Sequence, residues 1–326
     1  MSRSRRLGSG RNHVRSINLS KVSYGLPLAL VALVVGFGLS SEYFFSADTF
    51  LAIANDIPAL LVMAVGMTFV LVIAGIDLSV GSVLALAGGL SAVAIDAWHW
   101  NLLAAVLLGL GCGLACGAIT GWVSVAWRVP TFIVSLGTLE VARGSAYLIT
   151  DSRTQYVGDA VEALSAPLWV GISPAFLLAL VIVVASHVVL RRSVFGRYLV
   201  GIGTNEEAMR LAGVDPRPLK VAVFALMGLL AALAGLMQVS RLEAADPNAG
   251  VGMELQVIAA VVIGGTSLMG GRGSVLNTFL GVLIIAVLEA GLAQIGASDP
   301  AKRVVTGCVI IAAVLLDVYR NRPARR

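Results

Sequence analysis

Ten apolar runs of membrane-spanning length follow one another between residues 24 and 318, at 24–40, 57–74, 79–95, 102–126, 131–149, 168–190, 219–240, 255–269, 274–295 and 304–318. A bilayer core about 30 Å thick takes about 20 apolar residues to cross as a helix. A chain that repeats such runs must fold as an all-α polytopic membrane protein, with about ten transmembrane helices. Hydrophobic residues make up 58% of the sequence and charged residues 13%, roughly half the charged share of a soluble domain. The turns after residues 74 and 269 are so tight that some pieces are expected to be short or re-entrant helices.

The charges orient the chain. Residues 1–23 carry Arg3, Arg5, Arg6, Arg11, Arg15 and Lys21 and no acid, which reads as a solvated basic arm on the cytoplasmic side. No small-x-small cleavage site follows the first run, so it is read as an uncleaved span. With the amino terminus inside, segments 75–78, 127–130, 191–218, 270–273 and 319–326 are cytoplasmic. Together with the arm they hold most of the Lys and Arg, as the positive-inside rule requires. The carboxyl terminus is then also inside. The organisation is a basic arm at 1–23, a membrane domain at 24–320 containing a long polar loop at 191–218, and a basic tail at 321–326. The net charge of +5 sits in loops between spans rather than on one face, so it does not point to nucleic acid. Trp98 and Trp100 flank His99 at an expected membrane boundary, where indoles settle. Cys112, Cys116 and Cys308 read as small packing residues.

Two stretches, 74–90 and 264–283, share the string GSVL at 81–84 and 273–276 followed by glycine-spaced apolar residues. Their matching place relative to the spans reads as two parallel internal repeats. The alternative is that small residues recur wherever membrane helices pack closely.

Few polar groups lie within the spans. Asp77 is placed to cap the helix that follows it, through the amides of Ser79 or Val80. Glu140 and Arg143, three residues apart, are expected to pair. Glu289 stands alone, and either faces a water-filled cavity or lies near the outer end of its span. So few ionisable groups argue against ion-driven transport. No G-x-x-x-x-G-K-[ST] is present, and GGRGS at 270–274 has the wrong spacing, so the chain encodes no nucleotide site. No catalytic signature appears, and the chain is not expected to be an enzyme.

The polar loop contains a short helix with its own punctuation. Thr204 is placed as N-cap with Glu207 closing a capping box, Gly213 takes the left-handed position after the end, and Pro216 prevents continuation. About two turns carrying Ala208, Leu211 and Ala212 on one face cannot stand alone in water. The helix is built to dock.

The run FGRYLVGIGTNEEAMRLAGV at 195–214 resembles the coupling loop of ribose-type ABC importer permeases, a family that also handles xylose, arabinose, galactosides and autoinducer-2. AGIDLSVGSVLALAG at 74–88, VPTFIVSLGTLEVARGSAYLIT at 129–150 and IAAVVIGGTSLMGGRGSVLNTFLGVLII at 258–285 extend the resemblance over most of the chain after residue 60. It implies a permease subunit in the bacterial inner membrane, paired with a second copy or a related chain. An ABC ATPase subunit with two fused cassettes would lie below, and a periplasmic sugar-binding protein above. ATP and Mg would be used by the ATPase, with no cofactor bound by this chain. The resemblance makes 205–213 the coupling helix. Glu206, Glu207, Ala208, Arg210, Leu211 and Gly213 fall on its matching positions, and Thr204 and Asn205 lead into it. Candidate substrate-pathway residues are Asn55, Asp77, Ser79, Thr266, Ser267 and Asn277, unless these only cap or pack helices. The chain departs from the family at Glu140 and at 151–155, where Asp-Ser-Arg-Thr-Gln stands in place of a glycine-rich outer turn. The implied cargo is a monosaccharide or sugar-like solute. The alternatives are a branched-chain amino-acid permease and an ion-coupled secondary transporter.

Overall fold

A computed structural model describes residues 25–168 and 171–320; the basic arm at 1–23 and the tail at 321–326 lie outside the described residues. The described chain is a helical bundle: α1 (Gly25–Ser40), α2 (Ala47–Asp56), α3 (Pro58–Val72), α4 (Val80–Asp96), α5 (Leu102–Trp127), α6 (Thr131–Ile149), α7 (Pro174–Arg192), α8 (Val194–Thr204), α9 (Glu206–Leu211), α10 (Pro216–Leu242), α11 (Met253–Ile263), α12 (Val275–Gln294) and α13 (Asp299–Arg320). A two-residue antiparallel ribbon, β1 (Gln155–Tyr156) with β2 (Ala244–Ala245), is a small exception to the all-helical expectation.

Each apolar run contains a helix, but the helices are unequal in length. Five are long and apolar enough to cross a membrane, or six if α2 and α3, bent by 49°, count as one span. α11 has 11 residues, about 16 Å, half of a bilayer core. α2 lies between the first two apolar runs, where the run lengths predict no span. Ser46 starts it, accepting from the Thr49 amide at 3.2 Å. Pro58 then opens α3, because a proline has no N–H to continue the preceding helix.

α3 is the axis of the bundle. Nearly all of it is buried, including Met63, Met67 and Phe69, as expected of a helix apolar all round. Many of the exposed apolar side chains lie on α1, α5, α6 and α7, among them Leu39, Leu107, Val141 and Val181. α5 and α10 touch backbone to backbone. A Cβ at Gly117 would collide with the Phe224 carbonyl, and one at Gly228 with the Gly113 carbonyl.

The stretch 264–283 meets the end of α3 and the residue that opens 74–90, with Gly270 against Ala74. Gly271 N–H donates to the Val72 carbonyl at 2.9 Å, and the Thr68 and Thr278 hydroxyls bond at 2.8 Å. The string shared by these two stretches is used differently. Residues 81–84 lie inside α4, whose N-cap is Ser79, whereas Ser274 is itself the N-cap of α12.

The expected pair of Glu140 and Arg143 does not form. Arg143 donates through Nη1 to the carbonyls of Pro247 and Ala249, the latter at 2.8 Å. Tyr147 bonds Asn248 nearby at 2.5 Å. The loop before α11 leaves carbonyls without helical partners, and a guanidinium has enough donors to take two of them. Glu140, one turn away on the same helix, is exposed.

Candidate coupling site

The polar loop folds as two helices set end to end. Ser193 caps α8, accepting from the Gly196 amide at 3.0 Å. A glycine at 196 is required because a Cβ there would strike the Leu190 carbonyl. The short helix begins one residue later than its sequence signature indicates. Asn205, not Thr204, is its N-cap, with Oδ1 accepting from the Ala208 amide at 2.9 Å. Thr204 ends α8, its hydroxyl donating back to the Val200 carbonyl at 2.7 Å. A threonine hydroxyl can bond back along its own helix, which withdraws it from capping. The expected helix at 205–213 is therefore Glu206–Leu211.

Its end agrees with the sequence reading. Gly213 has φ +83°. Val214 N–H reaches the Met209 carbonyl at 3.0 Å and Gly213 N–H the Arg210 carbonyl at 2.9 Å, the paired bonds of a Schellman stop. Asp215 then caps α10 through the Arg217 amide at 3.0 Å.

Two contacts fix this helix to its own chain, and neither was anticipated. Met209 packs onto Gly201, where an added Cβ would lie 2.5 Å from its sulfur. Glu206 bonds both Arg210 at 3.0 Å and Lys220 on α10. The remaining face is left open. Glu207, Ala208, Leu211 and Ala212 are exposed, Leu211 at 83%. Arg210 stays within 3.8 Å of Glu207.

α8 rests on the place where the 264–283 stretch meets the end of α3. A Cβ at Gly203 would overlap the Val72 carbonyl and come within 2.5 Å of the Gly271 amide. Gly271 in turn lies against Thr204, and Gly270 against Ala74. Three backbones from distant parts of the chain thus converge with no side chain between them.

The structure separates the pathway candidates. Asp77 and Ser79 are each 1% exposed. Asp77 Oδ1 accepts from the Ser79 amide at 2.9 Å and its hydroxyl at 2.6 Å, the amide bond expected from sequence, although Ser79 itself is the N-cap of α4. Burial pushes the Asp77 carboxyl above its ordinary pKa, and the two Ser79 bonds oppose the rise. Leu78 and Ile76 amides donate to Ser135 and Thr131 of α6, at 3.1 and 3.0 Å. Thr266 and Ser267 are buried in the second turn, and the Ser267 hydroxyl accepts from the Met269 amide at 3.2 Å. Asn277 lies in the first turn of α12, its amide on the Ser274 hydroxyl at 3.4 Å. Asn55 is at the opposite end of α3. It clamps the chain before α7, donating to the Gly171 carbonyl and accepting from the Ser173 amide, both at 2.8 Å.

At that opposite end lies a cavity of about 320 Å³. Asn55, Gln238, Arg241, Gln256 and Glu289 give it a polar lining, beside Met237 and Met253. Glu289 faces it, as one of the two sequence readings required, and accepts from Gln256 Nε2 at 2.9 Å. Nothing in their spacing joins Gln256, Gln238 and Arg241 to Glu289; they meet only because α10, α11 and α12 converge. Among the described residues no cluster of His, Cys, Asp and Glu could hold a metal ion.

Residues 49–314 match the family described as branched-chain amino acid transport system / permease component. The ribose import permease protein RbsC of Haemophilus influenzae is 40% identical over 300 residues, 90% of this chain and 92% of the relative. The L-arabinose transport system permease protein AraH of Escherichia coli is 35% identical over 264 residues, 81% of this chain and 80% of the relative. The autoinducer 2 import system permease protein LsrC of Photorhabdus luminescens is 32% identical over 293 residues, 89% of this chain and 88% of the relative. No solved structure matches.

Proposed function

The chain belongs to the branched-chain amino acid transport system / permease component family, and from that premise we propose that it is the membrane-embedded permease subunit of an ATP-driven importer for a monosaccharide or sugar-like solute. The observation that carries the reading is α9, a helix capped at both ends that leaves Glu207, Ala208 and Leu211 open. The chain has no Walker motif, so the ATP-handling partner is a separate ATPase, and this face is where it docks. The relatives named for ribose, arabinose and autoinducer 2 import support a sugar-like cargo over an amino acid, whatever the family's title.

The mechanism needs no covalent chemistry. The ATPase dimer closes on ATP and Mg and pushes the α9 face. Met209 and the bonds from Glu206 to Arg210 and Lys220 keep α9 from rolling on its own chain, so displacement passes into α8. Gly203 and Thr204 deliver it to the turns at 72–74 and 270–271. Those turns sit at the ends of α3 and α11, which reach toward the cavity. A periplasmic binding protein supplies the solute, and a second permease copy or related chain completes the assembly in the bacterial inner membrane.

Two measurements test this reading. Leu211→Glu places a charge in the docking face without touching either cap. It should cut co-purification of the ATPase subunit about tenfold, in line with burying an unpaired charge; undiminished assembly and transport would remove α9 from the interface. Single cysteines at Leu211 and Asp151, both exposed, test the orientation. An impermeant thiol reagent added to intact cells should label position 151 and spare 211; the reverse pattern would overturn it.

A further inference from the structure

We propose that the cavity between α2, α3, α10, α11 and α12 is a binding site for a neutral polyhydroxylated solute, with Glu289 and Gln238 accepting its hydroxyl protons. This deepens the importer reading and rests on it. Three features of the cavity point to a ligand rather than to packing.

The first is an unmet acceptor. Gln238 lines the cavity, and its Oε1 is buried with no hydrogen-bond donor among the described residues. Buried polar atoms nearly always find a partner, and here the unmet acceptor belongs to a side chain that lines the cavity. The second is Glu289, a carboxylate inside an apolar helix. Only one of its oxygens has a partner, from Gln256, while a carboxylate accepts several bonds. The third is the mixed lining. Met237, Met253 and Leu60 stand beside the amides, so a solute carrying C–H faces and O–H edges meets a counterpart for both.

The charges select among solutes. Among the described lining residues Arg241 is the one cation, and Asp56 pairs with it at the cavity wall, while Glu289 adds a carboxyl group. A solute whose only charge is a carboxylate, such as a sugar acid, would face Glu289 with no unpaired cation among the described lining residues. A neutral polyol meets no such repulsion. The same ion pair, with Glu289 and Ala286, also borders a second hollow of about 540 Å³ lined by Asp48, Thr49 and Gln294. That gives the cavity an approach from the end opposite α9.

The test uses the complete transporter in cells, with uptake of labelled D-ribose, L-arabinose and D-xylose as probes and leucine as the amino-acid control. Gln238→Leu and Glu289→Gln should each lower pentose uptake at least about tenfold, as expected when a site loses a hydrogen-bonding partner for its substrate. ATPase co-purification should remain as in the parent. Gln238→Leu should also leave the melting temperature equal or higher, because it removes an unsatisfied atom; a merely structural Gln238 would give the opposite sign. Parent uptake of pentose with both variants unchanged would overturn the site while leaving the importer reading intact. Parent uptake of leucine and of no pentose would overturn both.

Discussion

Gly203→Val is expected to cut import about tenfold or more while the ATPase subunit still binds. Position 203 lies in α8, outside the proposed docking face, so assembly should survive. A side chain there would overlap the Val72 carbonyl and crowd the Gly271 amide, two atoms that bond each other at 2.9 Å. Backbone on both sides cannot step aside as a flexible side chain could. Forcing extra atoms into such a contact costs about 1–3 kcal/mol or more, and about 1.4 kcal/mol is a tenfold change in an equilibrium. The strain falls on the joint between the docking helix and the two glycine turns, so import should fall about tenfold or more, with ATP hydrolysis freed from control by loaded binding protein. Gly213→Ala is the contrasting control. It strains a residue at φ +83° with nothing within 4 Å of the added atom, and it should weaken the end of α9 without jamming the joint. Full import by Gly203→Val would show that α8 does not transmit motion through this contact.

The joint also marks the boundary of what the sequence could disclose. Apolar period and length located all the long helices, because lipid leaves the chain few options. Local chemistry was legible wherever the partners are neighbours: Asp77 with Ser79, Gly213 at the helix stop, Pro216 at the next start. It misled where two neighbours offered the same chemistry. Thr204 and Asn205 can both cap a helix; the threonine is taken by the Val200 carbonyl, and the cap moves by one residue. It also misled where a distant partner competed with a near one. Glu140 and Arg143 have the spacing of a pair, but the carbonyls of Pro247 and Ala249 win the arginine. Contacts across long intervals were invisible. Gly203 against Val72, Gln256 against Glu289, and Met209 against Gly201 carry no mark in their own surroundings. A glycine needed for close approach looks like any other glycine until the backbone it faces is known.

Gly228→Val should unfold the bundle rather than uncouple it. α5 and α10 are the two longest helices, 26 and 27 residues, and membrane helices associate through close packing rather than through a hydrophobic drive between them. Here the approach is reciprocal. A Cβ at 228 would strike the Gly113 carbonyl and lie 2.8 Å from the Gly117 amide, and a Cβ at 117 would strike the Phe224 carbonyl. Relief of the clash requires the helices to separate, which opens Phe224 and Met227, now fully buried, and loosens α10 from α3. The loss should reach about 3 kcal/mol or more, the upper range for overpacking where the neighbours are backbone. Thermal or denaturant unfolding of the purified permease measures it. Gly111→Ala on the same helix α5 has nothing within 4 Å and should be neutral or slightly stabilising, since alanine is the better helix former. Equal stability of the two variants would mean that the α5–α10 contact is not what holds the bundle together. A large loss confined to Gly228→Val would place the fold's strength at that contact, well away from both the docking face and the cavity. The two glycine variants would then separate by kind: one stable but poor in import, the other weakened in its fold.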